Sequence, residues 1–447
     1  MKKAACLTVA AAPVLVVVGA WLWFHTHHPL GNLLTGEMDG QALAWGRLAG
    51  LLAVLGVLFQ LMLIGRVRWI EQVFGLDRLT RLHHVFGFSL VLLLVLHPVL
   101  VTFGHALQAD LSYAEQTSDF WKTWRGLSCA MAGLLLMVAA LVTSVLVLVK
   151  RMPYEVWYAT HVTLYAAFAL TFLHQVVSGS DLTDHPAFRF YWYALYAFVL
   201  LNLLVYRFWR PCALYFKHRF VVERLVPEAH DVTSVYISGR NLSCFRAVAG
   251  QFVIVRFLSA GFRWESHPFS ISQVSAGSGF RLSIKGVGDF TRRIPTLKPG
   301  TPVVVDGPHG VFTSRNCASD KVLLVAGGIG ITPICALAEE MVSAGRDVVL
   351  LYGNRKAVGV VFRDELDALA ARSGGKKIRL VHVLSGDAEW PGEKGHIDRD
   401  CLARLVPDLS SREVFLCGPP VMMKGVFCAL ASLGVPKACV HHERFAL

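Results

Sequence analysis

Four histidines stand inside long apolar segments, where an ionisable side chain is rare and is generally kept for function. One segment reads RLHHVFGFSLVLLLVLHPVL and places His83 and His97 14 residues apart; the other reads WYATHVTLYAAFALTFLHQ and places His161 and His174 13 apart. On an α-helix 14 residues climb about 21 Å and return to within about 40° of the same face. Each segment therefore offers imidazoles at two depths. Facing pairs, His83 with His161 and His97 with His174, have the chemistry to hold two b-type haems through both axial positions of each. Zinc fits poorly, since pairs stacked about 20 Å apart cannot close one tetrahedral site. Thirteen steps leave His161 and His174 about 140° out of phase on an ideal helix, so the second segment requires a local irregularity such as a π-bulge. His84 competes with His83 but has the poorer phase. His105, His25, His27 and His28 read as interfacial, solvated side chains.

A second chemistry is written beyond residue 320. In KVLLVAGGIGITPICALAEEM an apolar strand hands over to a helix through Gly327, Gly328 and Gly330. Backbone N–H groups and the helix dipole at such a turn receive phosphate. The turn departs from G-x-G-x-x-G, so its weight comes from what surrounds it.

These groups need two kinds of scaffold. Mean hydropathy of +0.50 with 17% charged residues is too apolar for a wholly soluble chain. Six stretches, about 4 to 24, 41 to 64, 82 to 104, 126 to 149, 156 to 178 and 188 to 209, reach the roughly 20 apolar residues a bilayer requires. The first follows Lys2-Lys3 and is read as a retained helix rather than a cleaved leader. Lys2, Lys3, Arg66, Arg68, Arg78, Arg81, Lys150, Arg151, Arg207 and Arg210 fall on one side of these spans, which marks that side as cytoplasmic. The other side holds Glu37, Asp39, Asp110, Glu115, Asp119, Asp181 and Asp184 against Lys122, Arg125 and Arg189. Both termini are expected inside a multi-pass cell-membrane protein of bacterial inner-membrane type. The same topology explains the net charge of +12, and no basic stripe interleaved with aromatics points to nucleic acid. Ten cysteines without a C-x-x-C pair suggest neither a disulfide framework nor a zinc site.

After about residue 215 the pattern changes to RFVVERLV, VTSVYISG, GQFVIVRF, FRLSIKG and TPVVVDGP, whose alternation and Gly or Pro punctuation predict a small antiparallel barrel. Strand and helix then alternate, which predicts a doubly wound parallel sheet. The expected division is an α-helical membrane domain over 1–210, a β-barrel over 211–316 and an α/β domain over 317–447.

Four motifs occur in order: His267-Pro268-Phe269-Ser270, Lys285-Gly286-Val287-Gly288-Asp289-Phe290-Thr291, Gly327-Gly328-Ile329-Gly330-Ile331-Thr332-Pro333, and Cys417-Gly418-Pro419-Pro420. This series resembles the ferredoxin-reductase-type flavoprotein module. With the histidine pairs upstream, residues 40 to 447 resemble the ferric reductase and NADPH oxidase superfamily. The resemblance implies that His267 to Ser270 lie along the FAD isoalloxazine, with the Ser270 hydroxyl near its hydride-accepting nitrogen. It implies that Gly288 to Thr291 hold the flavin pyrophosphate, with Lys285 of the same motif also binding cofactor, and that Gly327, Gly328, Gly330, Thr332 and Pro333 face the nucleotide pyrophosphate. Arg355 would contact the 2′-phosphate of NADPH, leaving NADH as the alternative donor. Cys417, Gly418 and Pro419 would stand by the nicotinamide. Phe445 would cover the flavin, although here two residues follow it. Arg47 resembles an arginine that oxidase relatives keep near the outer haem, where a propionate or reduced oxygen would pair with it. Those relatives tend to carry a histidine four residues beyond the outer ligand, and this chain has Val101, with His105 one turn further.

The resemblance implies an oxidoreductase that passes electrons from cytoplasmic NAD(P)H through FAD and two haems to oxygen or ferric complexes across the lipid bilayer. A periplasmic protein or quinone is a further candidate acceptor. No calcium loop or Pro-rich tail is present, so no obligatory cytosolic activator is expected. Two readings from other classes are a haem-binding sensor or proton-conducting pore controlled by a flavoprotein, and a reductase with an inert anchor. Four aligned histidines weigh against both.

Overall fold

The computed structural model describes residues 2–27, 37–124, 126–149, 151–275, 277, 279–372 and 377–444. Phe445, Arg125, Lys150 and His28 lie outside them. The chain separates into two compact units, one of residues 1–67 and 79–204, the other of residues 68–78 and 205–447.

In the first unit the apolar segments form α1 (Lys2–His27), α2 (Met38–Ile64), α4 (Leu76–Ala109), α6 (Leu127–Leu148), the pair α7 (Tyr154–Val162) and α8 (Leu164–Val177), and α10 (Pro186–Leu203). Short helices α5 (Tyr113–Lys122) and α9 (Ser180–Thr183) lie in the connections. Among the described residues six helices are long and apolar enough to cross a membrane. Their close approaches rest on small residues. A Cβ on Gly46 would come 2.9 Å from Val101, and one on Gly56 would come 2.5 Å from Leu90, so α2 and α4 touch along glycines.

The expected irregularity in the fifth span is present in another form. The helix breaks at Thr163, whose N–H bonds the Thr160 carbonyl three residues back. A turn of this kind advances about 120° per residue instead of 100°, so it overwinds and makes up part of the missing 140°. A π-bulge would unwind the helix. The π-helical stretch lies instead at Leu204–Trp209, after α10 and before α11 (Arg210–His218).

The second unit opens with α3 (Arg68–Phe74), the connection between the second and third spans. Six antiparallel strands follow: β1 (Val221–Ala229), β2 (Val232–Ser238), β3 (Phe252–Phe257), β4 (His267–Ser275), β5 (Gly279–Lys285) and β6 (Val303–His309), in the order β1-β2-β5-β4-β3-β6. The sheet curls on itself. Val221 bridges Pro302, and the N–H groups of Val222 and Val303 bond Thr301 and Phe220 across the two edges. Its interior packs Phe220, Val235, Val253, Phe257, Ile271 and Leu282. After α12 (Asp289–Arg293) come β7 (Lys321–Gly327), α13 (Ile331–Ser343), β8 (Asp347–Asn354), α14 (Arg363–Arg372), β9 (Ile378–Leu384), β10 (Glu393–Lys394), α15 (Arg399–Leu405), β11 (Glu413–Cys417), α16 (Pro420–Ser432) and β12 (Val440–Glu443). All pairs in this second sheet are parallel, in the order β10-β9-β8-β7-β11-β12. Near-continuous apolar strands such as VLLVA suit a sheet buried on both faces.

Candidate functional site

The histidines of the first unit meet in pairs. The rings of His83 and His161 stand 6.1 Å apart between centroids, and those of His97 and His174 stand 6.2 Å apart. His83 and His97 share the unbroken α4, while the break at Thr163 separates His161 from His174. His84 lies 6.0 Å from His83 on the exposed side. Rings facing at these separations leave room between them for a single metal ion that both imidazoles would hold. Nδ1 of His83, His161 and His174 is buried without a hydrogen-bond partner among the described residues. His97 differs, its Nδ1 lying 2.9 Å from the Gly46 carbonyl. A Cβ on Gly50 would come 2.5 Å from the same ring. Among the described residues no three His, Cys, Asp or Glu side chains gather as a metal centre. Two facing imidazoles fit a metal whose other four positions a porphyrin supplies, and these residues therefore fit haem.

Arg47 follows Gly46, whose carbonyl meets His97. Burial holds the Asp181 carboxyl above its usual range, and the Arg47 charge and His25 offset part of that. Asp181 thus lies within electrostatic reach of Arg47. Val101 fills the α2–α4 contact at Gly46, and His105 packs against Trp124 and Phe120 at 5.1 and 5.5 Å. His25 is not solvated as expected. It is 7% exposed, with Nε2 3.7 Å from Asp181.

In the second unit His267, Pro268, Phe269 and Ser270 open β4, opposite Val255, Ile254, Val253 and Phe252 of β3. Ser270 is buried, and the His267 ring lies 4.1 Å from Phe290. Gly288 and Asp289 begin α12 at the surface. Thr291 Oγ1 accepts from the N–H groups of Val287 and Gly288 at 3.0 and 2.9 Å, so this hydroxyl shapes the turn itself. Lys285 pairs with Asp231 at 3.3 Å.

The C-terminal edge of the parallel sheet opens on a cavity of about 1120 Å³ lined by Lys285, Gly327, Gly328, Arg355, His396 and Pro419, among others. This is where ligands bind in open α/β sheets. Gly328 has φ +50°, which a side chain tolerates poorly. Gly330 faces the Cys417 carbonyl so closely that a Cβ would overlap it. Thr332 and Pro333 do not face the cavity. Both are buried, and the Thr332 hydroxyl donates to the Ile329 carbonyl at 3.0 Å. Arg355 follows β8, its carbonyl held by the Gly386 N–H at 2.8 Å. Cys417 ends β11 between Ala326 of β7 and Glu443 of β12, with Gly418 against Gly327. Cys417 is fully buried, and burial followed by the Glu443 charge pushes its thiol well up, so it packs as a neutral group.

Glu443 is a residue that motif reading passes over. Its Oε2 is buried without a hydrogen-bond partner among the described residues, and burial, then Asp77 and Glu71, push its carboxyl up to about 8.

Comparison with known proteins follows the same division. Residues 49–172 match the ferric reductase like transmembrane component, residues 219–312 a FAD-binding domain and residues 324–427 an oxidoreductase NAD-binding domain. Together the three match the domain combination of a ferric reductase and NADPH oxidase-type superfamily. The chain thus joins a ferric reductase like transmembrane component to the FAD-binding and NAD-binding domains of an oxidoreductase module. The glycine betaine monooxygenase reductase subunit of Pseudomonas aeruginosa is 28% identical over 236 residues, covering 51% of this chain and 64% of its own length. A flavohemoprotein from Burkholderia is 29% identical over 51% of this chain and 58% of its own. The chain spans less than two thirds of these curated relatives. The FAD/NAD-binding domain of a Vibrio cholerae nitric oxide dioxygenase is 25% identical, with a TM-score of 0.44 over 51% of this chain and 98% of its own.

Proposed function

We propose that this chain carries electrons from NADPH or NADH through FAD and two bis-histidine haems to an acceptor on the other side of the membrane, oxygen (giving superoxide) or ferric iron. The observation that carries the reading is the double pairing of His83 with His161 and His97 with His174, imidazoles that would hold one haem at each level. The division proposed is a membrane domain over 1–210, a FAD domain over 211–316 and a nucleotide domain over 317–447. Charge topology supports a cytoplasmic flavin module and cytoplasmic termini.

Once bound, FAD supplies the conversion of a two-electron hydride into single electrons, and the haems supply a path for those electrons through lipid. The protein's part is alignment. The strand from His267 to Ser270 would bear the isoalloxazine, with Lys285 and the Gly288–Thr291 turn at its pyrophosphate. The Gly327–Gly330 turn would bring backbone N–H groups to the nucleotide pyrophosphate, and Arg355 would take the 2′-phosphate. Cys417 would border the nicotinamide as an uncharged packing group, and Phe445 would cover the flavin until the nicotinamide displaces it. Arg47 would attract an anionic product or propionate at the far haem.

Anaerobic reduction of the purified protein by NADPH or NADH, then reoxidation by oxygen or a ferric chelate with direct superoxide detection, tests the reading. Reduced flavin and haem spectra followed by reoxidation are expected. No haem response to either nucleotide contradicts it.

A further inference from the structure

The Gly327–Gly330 turn is held from its buried side by a residue that does not itself line the nucleotide cavity. Tyr352 lies in β8 between Ala326 of β7 and His382 of β9, and it is fully buried. Its hydroxyl donates to the Gly328 carbonyl and accepts from the Val361 N–H, each at 3.2 Å. A buried phenol needs partners for its own sake. These two partners come from separate segments, 24 and 9 residues away along the chain, and both segments line the cavity.

Peptide planarity decides what the first bond does. The Gly328 carbonyl and the Ile329 N–H belong to one trans peptide unit and point opposite ways. The carbonyl is turned inward, where Tyr352 and the Ile331 N–H share it. The Ile329 N–H is therefore turned outward, and Ile329 lines the cavity. Gly328 permits this orientation through its φ of +50°, and a Cβ there would meet nothing within 4 Å among the described residues, so the glycine serves the turn and not close packing. The second bond fixes the 357–361 segment. Val361 precedes Phe362, whose φ of +59° lies in the left-handed region that a bulky residue adopts only when its surroundings hold it there. Arg281 of β5 does so, lying 4.1 Å over the Phe362 ring while pairing with Glu365 of α14. A hydroxyl whose proton and lone pair are both engaged by anchored groups does not rotate away.

We propose that Tyr352 is a positioning residue for nucleotide binding, its hydroxyl holding the Gly328–Ile329 peptide so that the Ile329 N–H is presented to the pyrophosphate of NADPH or NADH. The assignment rests on the nucleotide-to-flavin reading above. Tyr352 touches no substrate and takes no part in hydride transfer. Without its hydroxyl the peptide is free to turn, and the pyrophosphate must reorder it on binding, which lowers affinity. Both nucleotides carry the pyrophosphate, so both lose by the same factor, unlike a loss at Arg355. The transfer step is spared once the site is filled.

The test uses the full-length, flavin-loaded protein and Tyr352→Phe, which removes one oxygen and keeps the ring. In stopped-flow flavin reduction the half-saturating concentration is expected to rise about tenfold for NADPH and NADH alike, with the limiting rate within about twofold of wild type. ADP, as a competitive inhibitor, should weaken by the same factor, while adenosine, which lacks the pyrophosphate, should stay within about twofold. Tyr352→4-aminophenylalanine again offers a donor and an acceptor and should restore most of the ADP affinity. An ADP constant unchanged in Tyr352→Phe, or ADP and adenosine constants that weaken together, overturns the proposal. Loss of the flavin from Tyr352→Phe overturns it too, because the hydroxyl would then serve the fold and not the nucleotide. A wild-type chain whose flavin neither nucleotide reduces contradicts the function proposed above, whereas a wild-type chain that is reduced, with Tyr352→Phe indistinguishable from it, contradicts only the role of Tyr352.

Discussion

Arg355 is exposed at the end of β8, beside Lys356 on the nucleotide cavity. A guanidinium there can take a phosphate through charge-assisted hydrogen bonds that, at an exposed site, are worth about 1.5–3 kcal/mol in all. Arg355→Gln is therefore expected to raise KM for NADPH about 10- to 100-fold and to leave KM for NADH nearly unchanged. Steady-state kinetics with both nucleotides checks this, and an equal change for both would remove Arg355 from the 2′-phosphate. Glu443 gives a second prediction, on stability. Its carboxyl is raised to about 8 in the fold, so the unfolded chain ionises first as pH climbs from the ordinary carboxylate range. Stability is lost progressively over that window and levels off above about 8. Glu443→Gln should flatten this slope, read as thermal midpoints at pH 5 and pH 8. Single residues were unevenly legible. The four span histidines stand out because polar groups are scarce in apolar segments. Glu71 and Glu443 do not, because an acid on a strand or short helix looks solvated until tertiary contacts bury it. The burial of Thr332 and Pro333 in α13, like that of His25 against Asp181, depends on packing that no motif encodes.

At the scale of elements the fifth span is the informative case. Its histidine spacing required an irregularity, but VTLYA around Thr163 contains no Pro or Gly to announce where it falls. Thr163 instead tightens the turn through its bond to Thr160. Inserting one alanine after Thr163 rotates everything beyond it by about 100°. His174 would then leave His97 while His161 stays with His83, so the purified variant should hold one haem in place of two by pyridine haemochrome assay. Full retention of both would contradict the assigned pairing. The strands and the doubly wound sheet were legible from alternation and glycine turns. The contact between β5 and α14 was not. There Arg281, buried, makes a two-pronged pair with Glu365 at 2.7 and 3.1 Å and lies over Phe362. Removing one partner of such a pair costs about 3–5 kcal/mol. Arg281→Ala should lower the unfolding free energy, read by denaturant titration, by that amount, and a change below about 1 kcal/mol would show that solvent already screens the pair.

At the scale of the molecule, composition alone separates a lipid-embedded half from a nucleotide-binding half, because hydropathy differs so sharply along the chain. It could not reveal that residues 68–78 join the flavin unit, since that membership is decided by Glu71 on Gly310 and by Gly75 on Val311. The central claim is electron transfer across the bilayer through the histidine pairs. It is tested most directly in proteoliposomes with NADPH supplied on the flavin side and an impermeant ferric acceptor trapped within. The wild-type protein is expected to reduce the trapped acceptor, and His97→Ala to lose that reduction while NADPH still reduces its flavin. Reduction of the acceptor only when it shares a compartment with NADPH, or undiminished reduction of the trapped acceptor by His97→Ala, would contradict the claim.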